Sequence, residues 1–394
     1  MSETISSAEA VAGSQDILIQ IFLRLPAKSL LKFRCVCKDW LSLISLIPTR
    51  QFALTHTLLN PQTPVALLLD DYILPLNPQR DDPLPIFEAP FADLLDVPWF
   101  KAAQSCNGLL LVSPDFNVET SGTDTELGIG DFICNPTTKE CKKIPPRPKQ
   151  IEHYPVEGYA LAFDPVKSLH YKVICVRCVG IDRHRHYLEK EIDIYSSETD
   201  SWRICNIAFI DENNMEYRQP VFCNGTIYWY ALSSEALYFD VEEESLKSYP
   251  MPSYFENVSR LSDLNSMIKY FNESRGHLHL ITQKELKFLV FELAADHSEW
   301  SVKYNFRLEA AGAMFPEVID SLEKHLVNVL TVIREEKEED SVVVFSVGHV
   351  IFSYNLETKA FKKLSDCDCG SDFLRDCLLP WDYACQYFAS FACV

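Results

Sequence analysis

At 394 residues, with 47% apolar side chains, the chain is long enough for one small module plus one large domain and too apolar to be disordered. Its 56 acidic against 36 basic residues leave a formal charge of -20, which argues against wrapping nucleic acid, since phosphate binding runs on clustered Lys and Arg. No apolar run approaches the roughly 20 residues that span a bilayer, and MSETISSAEAVAGSQD carries neither a basic nor an apolar signal region, so the sequence reads as cytoplasmic or nuclear with no membrane partner.

In chain order, residues 1–12 read as a disordered tail and 13–50 as a helical module. A first helix runs from Ile17 to Leu25, with Asp16 as its cap and only Gln20 and Arg24 polar, so apolar side chains surround most of it. Pro26 stops it. A second covers about Lys28–Cys37, with Leu30, Leu31, Phe33 and Val36 on its apolar surface and Lys28, Lys32 and Arg34 on its basic one, Lys38 following. Asp39 caps a third, WLSLISLI, ending before Pro48. Helices totalling about 30 residues fall below the roughly 40 that usually fold unaided, so their excess apolar surface must meet the rest of the chain or a partner.

The stretch RLPAKSLLKFRCVCKDWLSLIS, Arg24 to Ser45, resembles the F-box of plant F-box proteins over about twenty consecutive positions. Family members usually open with Leu-Pro and an acidic pair; here that place reads Gly13-Ser14-Gln15-Asp16, and Gln20 stands where Glu is usual. The resemblance implies docking on the Skp-family adaptor, and through it a cullin, by Ile17, Leu18, Ile21, Leu25, Pro26, Lys28, Leu30, Leu31, Phe33, Arg34, Val36, Cys37, Lys38 and Trp40. Two other readings stay open: a helix-turn-helix with its basic helix in a DNA groove, and a plain helical cap on the larger domain.

After a linker at 51–63, residues 64–394 switch to strand-and-turn grammar, with short Tyr, Phe, Val and Ile runs separated by Pro, Asn, Asp and Gly. A hairpin pattern recurs near 131–144, 192–205, 236–249, 287–302 and 350–364, its second strand carrying Cys141, Trp202, Leu246, Trp300 or Phe361 to pack between adjacent sheets. One or two strands precede each hairpin, as in SCNGLLLV, YALAFDP, VFCNGTIYWY, HLHLI and VNVLTVI, making about four strands per unit. Residues 64–76 and the terminal QYFASFACV complete a sixth unit if the chain ends pair. The helical pattern at Phe315–Leu330 is an exception. SCNGLLLV, CNPTTKECKKIP, GYALAFDP and CNGTIYWY, within about residues 100–365, are similar to the F-box-associated domain of the same plant proteins, which implies a kelch-like β-propeller holding a target protein. The Gly-Gly pairs of true kelch repeats are missing. The fold class is therefore mainly β: a small three-helix F-box and a propeller-like all-β domain, with paired β-sandwiches as the alternative.

Chemistry is sparse. There is no P-loop, no GxGxxG opening a helix and no G-x-S-x-G elbow, so a non-catalytic subunit without cofactors is expected, with a propeller-borne enzyme or binding protein as the alternative. His153, Asp182, His184 and His186, or Cys367, Cys369 and Cys377 with Asp366, Asp368 and Asp372, could chelate zinc, but charged and irregular surroundings favour loops and no metal is expected. Cys175 and Cys178 sit in an apolar strand and read as core, and the fourteen cysteines as reduced thiols. Glu335–Asp340 reads as a solvated hairpin loop, the Pro-rich 77–90 as an irregular one, and 227–230 as residues alternating between two sheet faces.

Overall fold

The computed structural model describes residues 14–45, 50–60, 63–69, 72–76, 87–88, 100–114, 131–148, 155–181, 188–213, 215–253, 267–323, 326–348, 350–366 and 384–394. The tail 1–12, the His153–Asp182–His184–His186 group, the Cys367–Cys369–Cys377 group with Asp368 and Asp372, and most of the Pro-rich stretch 77–90 lie outside them.

Four helices open the fold: α1 (Gln15–Phe22), α2 (Ala27–Phe33), α3 (Lys38–Ser45) and α4 (Arg50–Leu59). The start of α1 is one turn-edge earlier than the sequence suggests, because Ser14 is its N-cap and Asp16 sits in its first turn. Helix α2 is shorter than expected and ends at Phe33. Cys37, not Asp39, opens α3, its Sγ accepting from the Trp40 N–H and its carbonyl from Leu41. The segment read as a linker carries α4, which packs Phe52 into the helical core.

The remainder is six four-stranded antiparallel sheets. The sixth blade is built from β1 (Ala66–Leu69), β2 (Tyr72–Pro75), β3 (Phe87–Glu88) and the last strand of the chain. Blade one holds β4 (Phe100–Cys106), β5 (Leu109–Pro114), β6 (Phe132–Asn135) and β7 (Glu140–Lys143). Blade two holds β8 (Val156–Ala162), β9 (Lys172–Ile181), β10 (Leu188–Ser196) and β11 (Ser201–Asp211). Blade three holds β12 (Val221–Cys223), β13 (Thr226–Tyr228), β14 (Glu235–Asp240) and β15 (Ser245–Pro250). Blade four holds β16 (Ile268–Ser274), β17 (His277–Lys284), β18 (Lys287–Leu293) and β19 (Trp300–Arg307). After α5 (Glu309–Met314) and α6 (Ile319–Glu323), blade five holds β20 (Val327–Ile333), β21 (Val342–Val347), β22 (Val350–Asn355) and β23 (Phe361–Asp366). Finally β24 (Ala384–Tyr387) pairs with β1, Leu69 opposite Ala384 and Ala66 opposite Tyr387.

Strands β4, β8, β12, β16, β20 and β24 each touch the next in turn and close a ring, so the architecture is a six-bladed propeller and the paired-sandwich alternative falls. All five sequence-predicted hairpins are the outer strand pairs of blades one to five. The helical expectation for Phe315–Leu330 is displaced: helix ends at Glu323, and β20 already begins at Val327, where β-branched residues take over.

The core lies between blades. Residues 227–230 alternate as expected: Ile227 and Trp229 face blade two, while Tyr228 and Tyr230 face blade four. Two bulky hairpin residues do more than pack. Trp202 donates its indole N–H to Pro145 O of blade one at 2.7 Å, and Trp300 does the same to Pro250 O of blade three at 2.8 Å. Buried glutamines fasten the inner ring: Gln104 both donates to and accepts from the Leu161 backbone, and Gln386 donates to Val332 O. Cys175 is fully buried, and burial pushes its thiol up to about 12. Cys134 and Cys141 depart from the expectation of reduced thiols: they face one another across β6 and β7, Cα atoms 4.1 Å apart, and form a disulfide.

Candidate functional site

The helical module has its own small core of Leu18, Phe22, Leu23, Leu30, Ile44 and Phe52. Trp40 closes it, its ring meeting Phe22 edge-on at 5.3 Å and Phe33 at 5.4 Å. Helix α4 ties the loop after α1 in place: Asn60 donates to Leu23 O at 2.8 Å, and the His56 ring bonds Leu25 O at 2.8 Å. Burial holds the His56 pKa below its ordinary value, the bond to Leu25 opposing it. His56 is therefore placed as a structural imidazole.

This core divides the sequence-predicted docking residues. Leu18 and Leu30 are interior, at 3% and 0% exposure. Leu25, Leu31, Phe33 and Trp40 are half-buried. Ile17, Ile21, Pro26, Arg34, Val36, Cys37 and Lys38 are exposed, and the Lys28 side chain is outside the described residues. Ile17 and Ile21 stand one helical turn apart on the same face of α1, at 46% and 41% exposure. Leu41 is a further exposed apolar residue of α3 that sequence reasoning passed over. Its signal was present in WLSLISLI, where too many apolar residues occur for one buried stripe.

The module sits on the propeller through the C-terminal tail. Phe391 packs against the helical core, its ring 5.2 Å from that of His56. Beside it, Leu31, Arg34 and Ile44 face Thr138, Glu140 and Lys142 of blade one across a cleft of about 440 Å³. The tail is held by fully buried Asn135, whose amide donates to Ser390 O at 3.1 Å and Ala392 O at 2.8 Å while its oxygen accepts from the Thr137 N–H. Nothing in the local sequence announces this seat, because it joins residues more than 250 positions apart.

Strands alternate in direction within each blade, so the first-to-second and third-to-fourth turns share one face of the ring. The helical module meets the turn containing Thr138 and therefore occupies that face. The blade-four-to-five connection with α5 and α6 lies on the other, where Met314 and Ile319 are exposed. The acidic run forms the connection from β20 to β21 on the module's face. It is exposed but anchored: Arg275 reaches Glu336 at 3.4 Å, and Lys303 reaches Glu338 at 2.7 Å. Among the described residues no group of three or more His, Cys, Asp or Glu side chains converges to hold a metal ion. No helix among them is long and apolar enough to cross a membrane.

A family described as F-box domain matches residues 14–51, and one described as F-box associated beta propeller domain matches residues 89–375. F-box protein At5g07610 of Arabidopsis thaliana is 30% identical over 389 residues, covering 92% of this chain and 87% of its own. F-box/kelch-repeat protein At3g17530 of the same plant is 25% identical over 279 residues, 64% of each chain. Among solved structures, an oligogalacturonate lyase in complex with manganese overlaps 75% of this chain and 70% of its own at 8% identity, with a TM-score of 0.40.

Proposed function

Because the chain belongs to the F-box proteins that carry an F-box-associated β-propeller, we propose that it is the target-recognition subunit of an SCF-type ubiquitin ligase. The single observation that carries this reading is the apolar pair Ile17 and Ile21, left exposed on a helical module whose core is already filled from within. Such a face is stabilised by a partner. The partner is the Skp-family adaptor, which brings a cullin. The basic Arg34 and Lys38, exposed beside Val36, steer encounter with an acidic adaptor surface. The residues we assign to docking are thus Ile17, Ile21, Pro26, Arg34, Val36, Cys37, Lys38 and Leu41, with Leu18, Leu30 and Trp40 holding the helices in register.

The propeller holds the target protein. Its face away from the F-box is the side we assign, since the module and tail cover part of the other and the exposed Met314 and Ile319 lie there. The chain then contributes no bond-making group; it raises the concentration of target lysines near the ubiquitin carrier, and the chemistry belongs to other subunits.

Co-elution of the purified full chain with a Skp-family adaptor tests the reading. The wild type should form a stable complex, and I17D/I21D should lose it while keeping its melting temperature. A wild-type chain that fails to bind, or a folded double variant that binds equally well, overturns the assignment.

A further inference from the structure

The ring encloses an axial channel with a chamber of about 320 Å³ among the described residues, within the range of small-molecule sites. Its walls are inner strands β4, β16 and β24 and the segment leading into β12. A second chamber of about 210 Å³ opens toward the F-box face and shares Glu273, Asn107, Phe222, Gln386 and Phe388 with the first.

The polar groups of this channel are incompletely matched. Glu273 accepts one hydrogen bond, from the Gly276 N–H at 3.0 Å, and has no ion-pair partner among the described residues. Burial raises its pKa above the ordinary glutamate value, with the Gly276 bond opposing. Ser105 Oγ and Gln219 Oε1 line the same chamber, buried and without a hydrogen-bond partner. A half-buried carboxylate without a counter-ion and buried acceptors lacking donors cost free energy that a ligand can recover. Phe222, Phe271 and Phe388 supply the apolar part of the wall, and aromatic faces attract cations. An anion would meet the Glu273 carboxylate, while Arg275 and Arg334, which line the outer chamber, are already paired with Glu336 and Glu292. A calcium ion would want six or more oxygens, and Glu273 is the chamber's one carboxylate among the described residues. Arg218 lines the chamber as well but is solvent-exposed and precedes β12, whereas Glu273 lies next to the last residue of β16; the two charges therefore sit toward opposite mouths.

We propose that the central channel binds a small organic ammonium compound, with the Glu273 carboxylate as counter-charge, Ser105 Oγ accepting a hydrogen bond, and Phe222, Phe271 and Phe388 around its apolar body. This site is independent of adaptor docking, so the assay uses the purified full chain with no ligase component. Titration calorimetry is run with methylammonium, putrescine and phenethylammonium, and with 2-phenylethanol and phenylacetate as neutral and anionic counterparts. At least one ammonium should bind saturably at one site, and phenethylammonium about tenfold or more tighter than 2-phenylethanol or phenylacetate. Glu273→Gln should weaken it by about tenfold or more with the fold intact. If that variant does not fold, Ser105→Ala serves, with a several-fold loss expected. No binding by any of the three ammonium compounds, equal binding of the neutral counterpart, or unchanged affinity in the folded variants overturns the proposal.

Discussion

Leu30 and Ile17 belong to the same small module and have opposite roles. Leu30 is fully buried, so Leu30→Ala should cost about 2–5 kcal/mol through lost contacts and a residual cavity, read by urea denaturation of the full chain. Ile17→Ala should leave that curve nearly unmoved and weaken adaptor binding instead. The sequence could not separate them, because apolar residues occupy nearly all positions of the first helix and periodicity then loses its meaning. Glu292 gives a pH-dependent case. Burial alone would raise its pKa, but the His279 ring at 3.3 Å, the Arg334 guanidinium and His277 outweigh that and hold it at about 2, against an ordinary 4.5. A depressed carboxyl stabilises the fold fully above its ordinary pKa and loses that contribution as pH falls. Stability should therefore drop between about pH 5 and pH 2 by ~2–3 kcal/mol from this group. Denaturation at pH 6 and pH 3 should show a smaller difference in Glu292→Gln than in the wild type.

At the level of the element, the hairpins were the most readable part. SCNGLLLV and VFCNGTIYWY each place Asn-Gly between apolar runs, and the structure puts Asn107 at φ 48° with Gly108 at 90°, and Asn224 at 52° with Gly225 at 90°. Each asparagine has a second task, invisible locally: Asn107 donates to Phe163 O in blade two, and Asn224 to Gly276 O in blade four. Gly108 is constrained twice, since a Cβ there would also lie 2.1 Å from Ser390 Oγ of the tail. Gly108→Ala should thus cost more than the ~1–3 kcal/mol of an unfavourable φ alone, measured as a lowered unfolding midpoint. What the sequence hid are the bulges. In β4, β8, β16 and β20 the pairing skips Ala103, Glu157, Lys269 and Leu330 in turn, bending the inner strand of four blades. An extra residue in one strand leaves alternating hydrophobicity only locally out of phase, which a short inner strand does not reveal. The two interblade tryptophans are testable at this scale. Trp202→Phe keeps the ring but removes the bond to Pro145 O, and should cost about 1 kcal/mol beyond the change in packing. Trp300→Phe should behave alike, since it repeats the geometry two blades on.

For the whole molecule, Phe391 is a joint between the helical module and the propeller. Phe391→Ala should leave the propeller's melting transition nearly in place while loosening the module, seen as faster proteolysis around residues 60–63. Sequence patterning located both halves and anticipated that the chain ends complete the last blade. It could not supply their relative seat, which rests on tail residues beyond the final strand, Phe391 among them. Removing residues 384–394 should be far worse than any point change: β1 loses its inner partner, the ring gains two open edges, and Asn135 loses both carbonyls it serves. Gel filtration should show aggregation in place of a monodisperse peak.

The pairing of β1 with β24 also sets a timetable for birth. The two strands are separated by just over 300 residues, so at a synthesis rate of roughly 5–20 residues per second the first waits about 15–60 s for the second. During that wait a wholly apolar strand, Ala-Leu-Leu-Leu, has no inner neighbour. A chain cut short before Ala384 would stay in this state for good, because no other strand among the described residues is placed to pair with the inner edge of β1.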